Sequence, residues 1–416
     1  MIGNGLDFIM YVFKLISRVM NFNKKITCSL AQRGIGIENA GHVKVCNLSS
    51  HIFKDANGDP YRIDQTNLRD IWNNNVTRKE INDSLDKGER HENCQLCWDA
   101  EDSGVKSIRQ IMNEKYPEVY ETLPSQPSIV NIKPGNVCNF GCRFCSSEDS
   151  NQLYEVDYKL KSNKTTTYEQ YLKTFDSYKN SFKKDSDFWT VMNDWSGNID
   201  HYALYGGEPF VNKPLFDMLD SNYRKGHSAK QDLYVSTNTS VWSEKYIEIL
   251  KSFKSVSIGM SIDGIDKHFE YIRYPGKWDK ISDNISKFAD LRSSMPNFEL
   301  KVAATCNPFN IFYLDELCDY FKAFDIPVDI HLIQVPKCYD VRILPRAVKD
   351  AIIRKHQGRE DLSNAVSFLN SEMPERVQHL QEFVRLTAGT DKLRDQKFSD
   401  TFPEYNEILV KSGVEI

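Results

Sequence analysis

Cys138, Cys142 and Cys145 follow one another in the spacing C-x3-C-x2-C, directly after the apolar run Ser128–Ile132 and the break at Pro134-Gly135. Three thiolates so spaced can ligate three irons of a cubane 4Fe–4S cluster and leave the fourth iron free for a substrate to chelate. Zinc normally takes four ligands, from paired cysteines, and cysteines buried separately as small hydrophobes rarely crowd together. A second set of thiols lies upstream. Cys28 and Cys46 frame the pattern C-x12-G-x4-C through Gly41, and Cys94 and Cys97 form a CxxC pair. A hairpin turn near Asn39–Gly41 would bring the first two together. Four thiols in two pairs make a complete site, either 4Fe–4S with no open iron or tetrahedral zinc; residue types alone leave both open.

The elements that must position these groups read as follows. Ser128–Ile132, His201–Tyr205, Asp232–Ser236, Ser255–Ser261, Glu299–Ala304 and Pro327–Ile333 are apolar, β-rich runs separated by helical stretches. Alternating strands and helices predict a parallel α/β architecture. The unusual residues cluster just after the strands: the cysteine motif, then Gly206-Gly207-Glu208-Pro209, Thr237-Asn238-Thr239, Ser261-Ile262-Asp263-Gly264 and Thr305-Cys306-Asn307-Pro308. In β/α barrels that end of the strands builds the active site. Ser261 and Asp263 together suit a ribose diol. Asn238 suits a pocket contact or a turn equally.

The remaining chain frames this core. Residues 1–25 are an extension in which Phe8–Met20 is apolar but interrupted by Lys14 and Arg18; the run is too short to span a bilayer, and no small-residue cleavage site follows it. Leu68–Trp72 and Lys79–Lys87 have helical spacing. Residues 150–198 form a long insertion rich in Tyr, Lys, Ser and Asp, with an amphipathic helix over Tyr168–Phe182. The tail, 341–416, is helical at Arg346–His356, Asp361–Asn370 and Pro374–Leu386, punctuated by Pro345, Pro374 and Gly389. Cys318 reads as a helix-core residue, and Cys306 and Cys338 lie near strand ends. With 416 residues, 40% hydrophobic residues and a net charge of −5, the chain gives no reason to expect nucleic-acid or membrane binding. Ten cysteines without a disulfide-rich pattern point to metal ligation in a reducing, cytoplasmic compartment.

The cysteine motif, with Phe144 just before its last cysteine, resembles the signature of radical S-adenosylmethionine (radical SAM) enzymes. The resemblance implies a partial (β/α)6 TIM-like barrel over 125–340, a 4Fe–4S cluster on Cys138, Cys142 and Cys145, and SAM on the open iron. It implies that Phe144 lies against the adenine, that Gly206, Gly207 and Glu208 meet the SAM amino group, that Ser261 and Asp263 meet the ribose, and that Arg273 holds the carboxylate. Residues 26–120, from the Cys28–Cys46 pattern to GERHENCQLCWDAEDSGVKSIRQ, look like a twitch domain, the short form of the SPASM module. This is a small α+β unit with an auxiliary 4Fe–4S cluster on Cys28, Cys46, Cys94 and Cys97; here it precedes the barrel, whereas such modules usually follow it. The implied activity is reductive cleavage of SAM to a 5′-deoxyadenosyl radical that takes a hydrogen atom from substrate, with electrons from a flavodoxin or ferredoxin. Peptide or protein modification is the first substrate reading; a carbohydrate or other small molecule is the alternative. A two-cluster electron-transfer protein ranks behind both, because it would need no SAM site. A zinc-stabilised nucleic-acid binder is disfavoured by the acidic balance.

Overall fold

The computed structural model describes residues 25–161 and 165–416. Its centre is one sheet of eight strands: β1 (Gly34–Ile37), β2 (Val43–Lys44), β3 (Ile129–Ile132), β4 (His201–Leu204), β5 (Asp232–Thr237), β6 (Ser255–Met260), β7 (Phe298–Cys306) and β8 (Val328–Leu332). They lie in the order β2-β1-β3-β4-β5-β6-β7-β8, and every pair is parallel except β1 with β2. All six strands expected from the apolar runs are present, so the α/β class and the parallel sheet hold.

Side chains alternate between the faces of each strand, and β7 shows what each face is for. Phe298, Leu300, Val302, Ala304 and Cys306 are buried. The intervening Glu299, Lys301, Ala303 and Thr305 line a cavity of about 750 Å³, together with Tyr234 and Ser236 of β5 and Ser257 of β6. Gly259 on β6 keeps room there: a Cβ would stand 2.4 Å from the Tyr234 hydroxyl oxygen.

The predicted hairpin is present. Gly41, at φ +85°, turns the chain between β1 and β2, and a Cβ there would meet Ser181 Oγ at 2.2 Å. β1 does more than pair with β2. It runs parallel to β3, with Gly34 opposite Ile129 and Ile37 opposite Ile132, so it adds a strand ahead of the expected first one. The Cys28–Cys46 segment is thereby built onto the edge of the central sheet.

Two helices differ from expectation. The helix read over Tyr168–Phe182 is two short ones, Tyr168–Lys173 and Asp176–Asn180. The chain turns between them, and Phe175 is buried with its ring 4.7 Å from Tyr154 and 5.3 Å from Tyr178. In the tail, helices Arg346–Lys355 and Ser363–Asn370 match the periodicity, but the third, Arg376–Arg394, runs eight residues past Leu386. Gly389 is a packing residue inside it, since a Cβ would lie 2.7 Å from Leu160 Cδ2. Phe8–Met20 lies outside the described residues. Among those described, no helix is long and apolar enough to cross a membrane.

Candidate functional site at the strand ends

The cysteine loop is sewn to its surroundings through the backbone. Gly141 N donates to Tyr274 O at 2.7 Å and Arg143 N to Ile272 O at 2.9 Å, fixing the loop to the end of helix Asp266–Ile272. Cys138 N donates to Asn151 Oδ1 at 3.2 Å, and Ser150 Oγ donates to Phe140 O at 2.5 Å. Cys142 is buried, and Cys138 and Cys145 are half-buried. Burial first, then Cys142, pushes Cys138 up to about 12; burial first, then Asp149 and the other two thiols, raises Cys145 well above the ordinary range. Thiols so placed ionise only against a strong local cation, and ligated iron is one.

The Gly206–Glu208 turn is fitted beneath this loop. Gly206 and Gly207 have φ of +68° and +54°, conformations that favour glycine. A Cβ on Gly207 would lie 2.3 Å from Val137 O, and Val137 O also accepts from Glu208 N at 2.9 Å. Gly207→Ala therefore pushes directly on the residue before Cys138. We expect it to cost about 2 kcal/mol or more and to lower iron retention; a reconstituted variant with full iron and an unchanged unfolding midpoint would refute this coupling.

Glu208 does not project as a free charge. It is buried, and its carboxylate accepts from Phe210 N at 3.0 Å, Thr237 Oγ1 at 2.8 Å and Asn238 N at 2.5 Å. It thus clamps the ends of β4 and β5 together. Burial pushes its carboxyl up to about 7 against the pull of those hydrogen bonds. The two glycines supply the open backbone at this turn, while the Glu208 side chain is engaged within the protein. Asn238 is both turn and loop contact: its Nδ2 donates to Asn139 Oδ1 at 2.8 Å and lies 4.0 Å from Cys138 Sγ.

Asp263 and Arg273 meet each other. Arg273 Nε is 2.6 Å from Asp263 Oδ2, and both side chains are buried. Asp263 also accepts from Thr305 N at 2.7 Å. Burial raises the Asp263 carboxyl and Arg273 pulls it back; burial opposes the Arg273 charge, and Asp263 with Cys142 outweighs it. Arg273 Nη1 reaches to 3.9 Å from Cys142 Sγ, and its Cζ lies 5.7 Å from the Phe144 ring centroid. One cysteine, one guanidinium, one carboxylate and one ring are therefore contiguous. Ser261 stands slightly apart: its Oγ is 3.5 Å from Ser236 Oγ, and it lines the 750 Å³ cavity with Thr305 and His331.

The four upstream thiols also gather. Cys28 caps helix Ser29–Arg33 by accepting from Ala31 N at 3.4 Å, Cys46 follows β2, and Cys94 and Cys97 sit at the start of helix Gln95–Asp102. Cys28 is raised to about 12 by burial and then by the charges of Cys46, Cys94 and Cys97, and Cys94 likewise by burial and then Cys46 and Cys97. Among the described residues no three His, Cys, Asp or Glu side chains close around a single ion. Cys46 and Asn47 line a smaller cavity of about 210 Å³, and Tyr205 and His201 line both this and the larger one.

Sequence reasoning missed several groups. Tyr205 and Tyr234 pair across the cavity face with ring centroids 5.4 Å apart, and Lys301 Nζ bonds Asp329 Oδ2 at 2.7 Å. The alternation of β5, β7 and β8 carried that signal. Nothing in the sequence links Arg143 to Asp391 or Arg394 to Gly141.

Comparison with known proteins gives the family that the chain resembles. Residues 132–298 match the family model described as the Radical SAM superfamily. The chain is 22% identical over 289 residues to the radical SAM cyclopropyl synthase TigE of Paramaledivibacter caminithermalis, covering 68% of this chain and 57% of that protein. The chain thus spans 57% of that relative's length. Among solved structures, Streptococcus suis SuiB bound to S-adenosylmethionine is 13% identical over 73% of this chain and 64% of SuiB, with a TM-score of 0.35. TsrM of Kitasatospora setae, with cobalamin and a [4Fe-4S] cluster, is 14% identical over 49% of this chain and 34% of TsrM, with a TM-score of 0.33.

Proposed function

Residues 132–298 form a radical SAM superfamily domain, and from that premise we propose that this protein cleaves S-adenosylmethionine reductively and abstracts a hydrogen atom from a peptide substrate. The contact of Cys142 with Arg273, beside Asp263 and Phe144, carries the reading, because it sets a cysteine of the open-iron motif next to a carboxylate-binding fork. The donor set fits a cluster: three thiols share one loop and one electrostatic field without converging on a single ion. A 4Fe–4S cluster held by these three thiols would supply the single electron for reductive cleavage of SAM, and with it the radical chemistry that removes a substrate hydrogen.

The chain's own residues bind and orient. Cys138, Cys142 and Cys145 hold the cluster. The open backbone of Gly206 and Gly207 accepts from the SAM amino group, and Glu208 acts by clamping the turn. Arg273 grips the carboxylate with the edge left free by Asp263, which aligns the fork. Ser261, with Asp263 behind it, meets the ribose, and Phe144 lies against the adenine. Cys28, Cys46, Cys94 and Cys97 hold an auxiliary 4Fe–4S cluster in a twitch-like segment and pass electrons. The six strands β3 to β8 act as the partial barrel, and the cavity faced by Tyr234, Ser257 and Lys301 takes the substrate. A peptide is favoured over a sugar by β8, none of whose five residues is buried and whose outer edge pairs with no strand among the described residues; an extended chain can add there. A flavodoxin- or ferredoxin-type donor supplies the electron, and the cytoplasm supplies the reducing surroundings.

The test is direct. Anaerobically reconstituted, dithionite-reduced protein should convert SAM to methionine and 5′-deoxyadenosine, and a peptide deuterated at the attacked carbon should pass deuterium to the 5′-deoxyadenosine. No SAM turnover refutes the activity; turnover with transfer from a labelled sugar instead refutes the peptide. Arg273→Lys keeps a cation beside Asp263 but loses the fork. It should raise the Kd for SAM about tenfold, about 1.4 kcal/mol, at unchanged iron content; unchanged affinity removes Arg273 from the site.

A further inference from the structure

The last turn of helix Arg376–Arg394 reaches the cysteine loop and brings two groups to it. Asp391 takes the Arg143 guanidinium, with Nη2 2.5 Å from Oδ1. Arg143 also donates from Nε to Tyr271 O at 2.9 Å, and its Cζ lies 3.5 Å from the Tyr271 ring centroid. Its charge is answered inside the protein.

Arg394 is placed differently. Its Nη2 donates to Gly141 O at 2.6 Å, between Cys138 and Cys142 in the chain, and its Cζ lies 4.5 Å from the Tyr274 ring centroid. Its Nη1 is buried with no hydrogen-bond partner. Among the ion pairs of the described residues it has no carboxylate; Glu155, an acid lining the same groove, is paired with Lys159. Arg273 and Lys161, two further cations beside this loop, are answered by Asp263 and Asp157. A half-buried cation with its Nη1 sealed off and unpaired is unfavourable unless an anion stands near it.

A cubane held by three thiolates is such an anion. Its net charge is negative and becomes more so by one electron on reduction. A fixed cation at the loop therefore stabilises the reduced cluster more than the oxidised one. We propose that Arg394 is the counter-charge of the cluster held by Cys138, Cys142 and Cys145, a positioning residue that eases its reduction. This rests on the radical SAM reading above and assigns the C-terminal helix a part in it: the helix closes over the loop and also sets how readily the cluster accepts its electron.

The experiment is a redox titration of the anaerobically reconstituted full chain, followed by the electron paramagnetic resonance signal that changes on adding SAM. At the potential that half-reduces the wild-type cluster, Arg394→Gln and Arg394→Met should be reduced severalfold less. Arg394→Lys should restore the wild-type curve, and Lys392→Gln, an exposed charge on the same helix, should not move it. A neutral variant that keeps its iron and its midpoint overturns the proposal. So does Arg394→Lys titrating like the neutral variants, which would make the guanidinium's shape, and not its charge, the working feature. A wild-type protein with no SAM-responsive cluster overturns the underlying reading instead. Iron content of each variant, measured separately, shows whether Arg394 merely holds the loop.

Discussion

Cys142→Ala is expected to reduce 5′-deoxyadenosine formation to the level of a protein-free control while leaving the rest of the fold in place. Cys142 is the fully buried member of its motif, and Arg273 Nη1 lies 3.9 Å from its sulfur. On the proposed reading, removing the thiol takes away one ligand of the cluster and the sulfur that the guanidinium faces. The loop backbone is held independently, by Gly141 to Tyr274 and Arg143 to Ile272, so the variant should still fold. Iron should fall from about eight to about four per chain, the auxiliary set being untouched. Equal SAM turnover by variant and wild type would end the radical SAM reading outright. Full loss of secondary structure by circular dichroism would instead show that the thiol is structural.

The second expectation concerns the upstream thiols. Wild-type protein should bind about eight irons per chain, with a broad absorbance near ~410 nm, and the double variant Cys94→Ala/Cys97→Ala about four. The variant should still cleave SAM to 5′-deoxyadenosine, because Cys138, Cys142 and Cys145 need none of these residues as a ligand. It should lose conversion of substrate to its oxidised product if the auxiliary cluster takes the second electron. The physical ground is that Cys46, Cys94 and Cys97 all act on the charge of Cys28, and four thiols so gathered are a complete donor set for a 4Fe–4S cluster. Wild-type protein with about four irons and one zinc per chain would refute the auxiliary cluster.

These expectations draw on two kinds of information. The six parallel strands were legible because each is a short β-rich run bounded by glycine, proline or polar turns. The thiol sets were legible because ligand spacing within a loop is a local property of the chain. The hairpin at Asn39–Gly41 was legible for the same reason.

What the fold alone decided is which charge meets which. Asp263 and Arg273 both follow β6, ten residues apart in the chain, and nothing in their types says that they bind each other and leave one guanidinium edge toward Cys142. Glu208 read as a charge for a ligand, whereas three donors, Phe210 N from the turn after it, Thr237 Oγ1 from β5 and Asn238 N just past β5, occupy it. The pairing of β1 with β3 was hidden as well, since a four-residue strand finds its parallel partner across more than ninety intervening residues. The same holds for Arg394, 253 residues from the glycine it bonds. The amino-acid sequence determined where the grouped cysteines stand and which strands present them. Only the tertiary structure decided which charges are answered by the protein itself and which, like Arg394, are left facing the cysteine loop, because that balance depends on long-range packing and no local pattern records it.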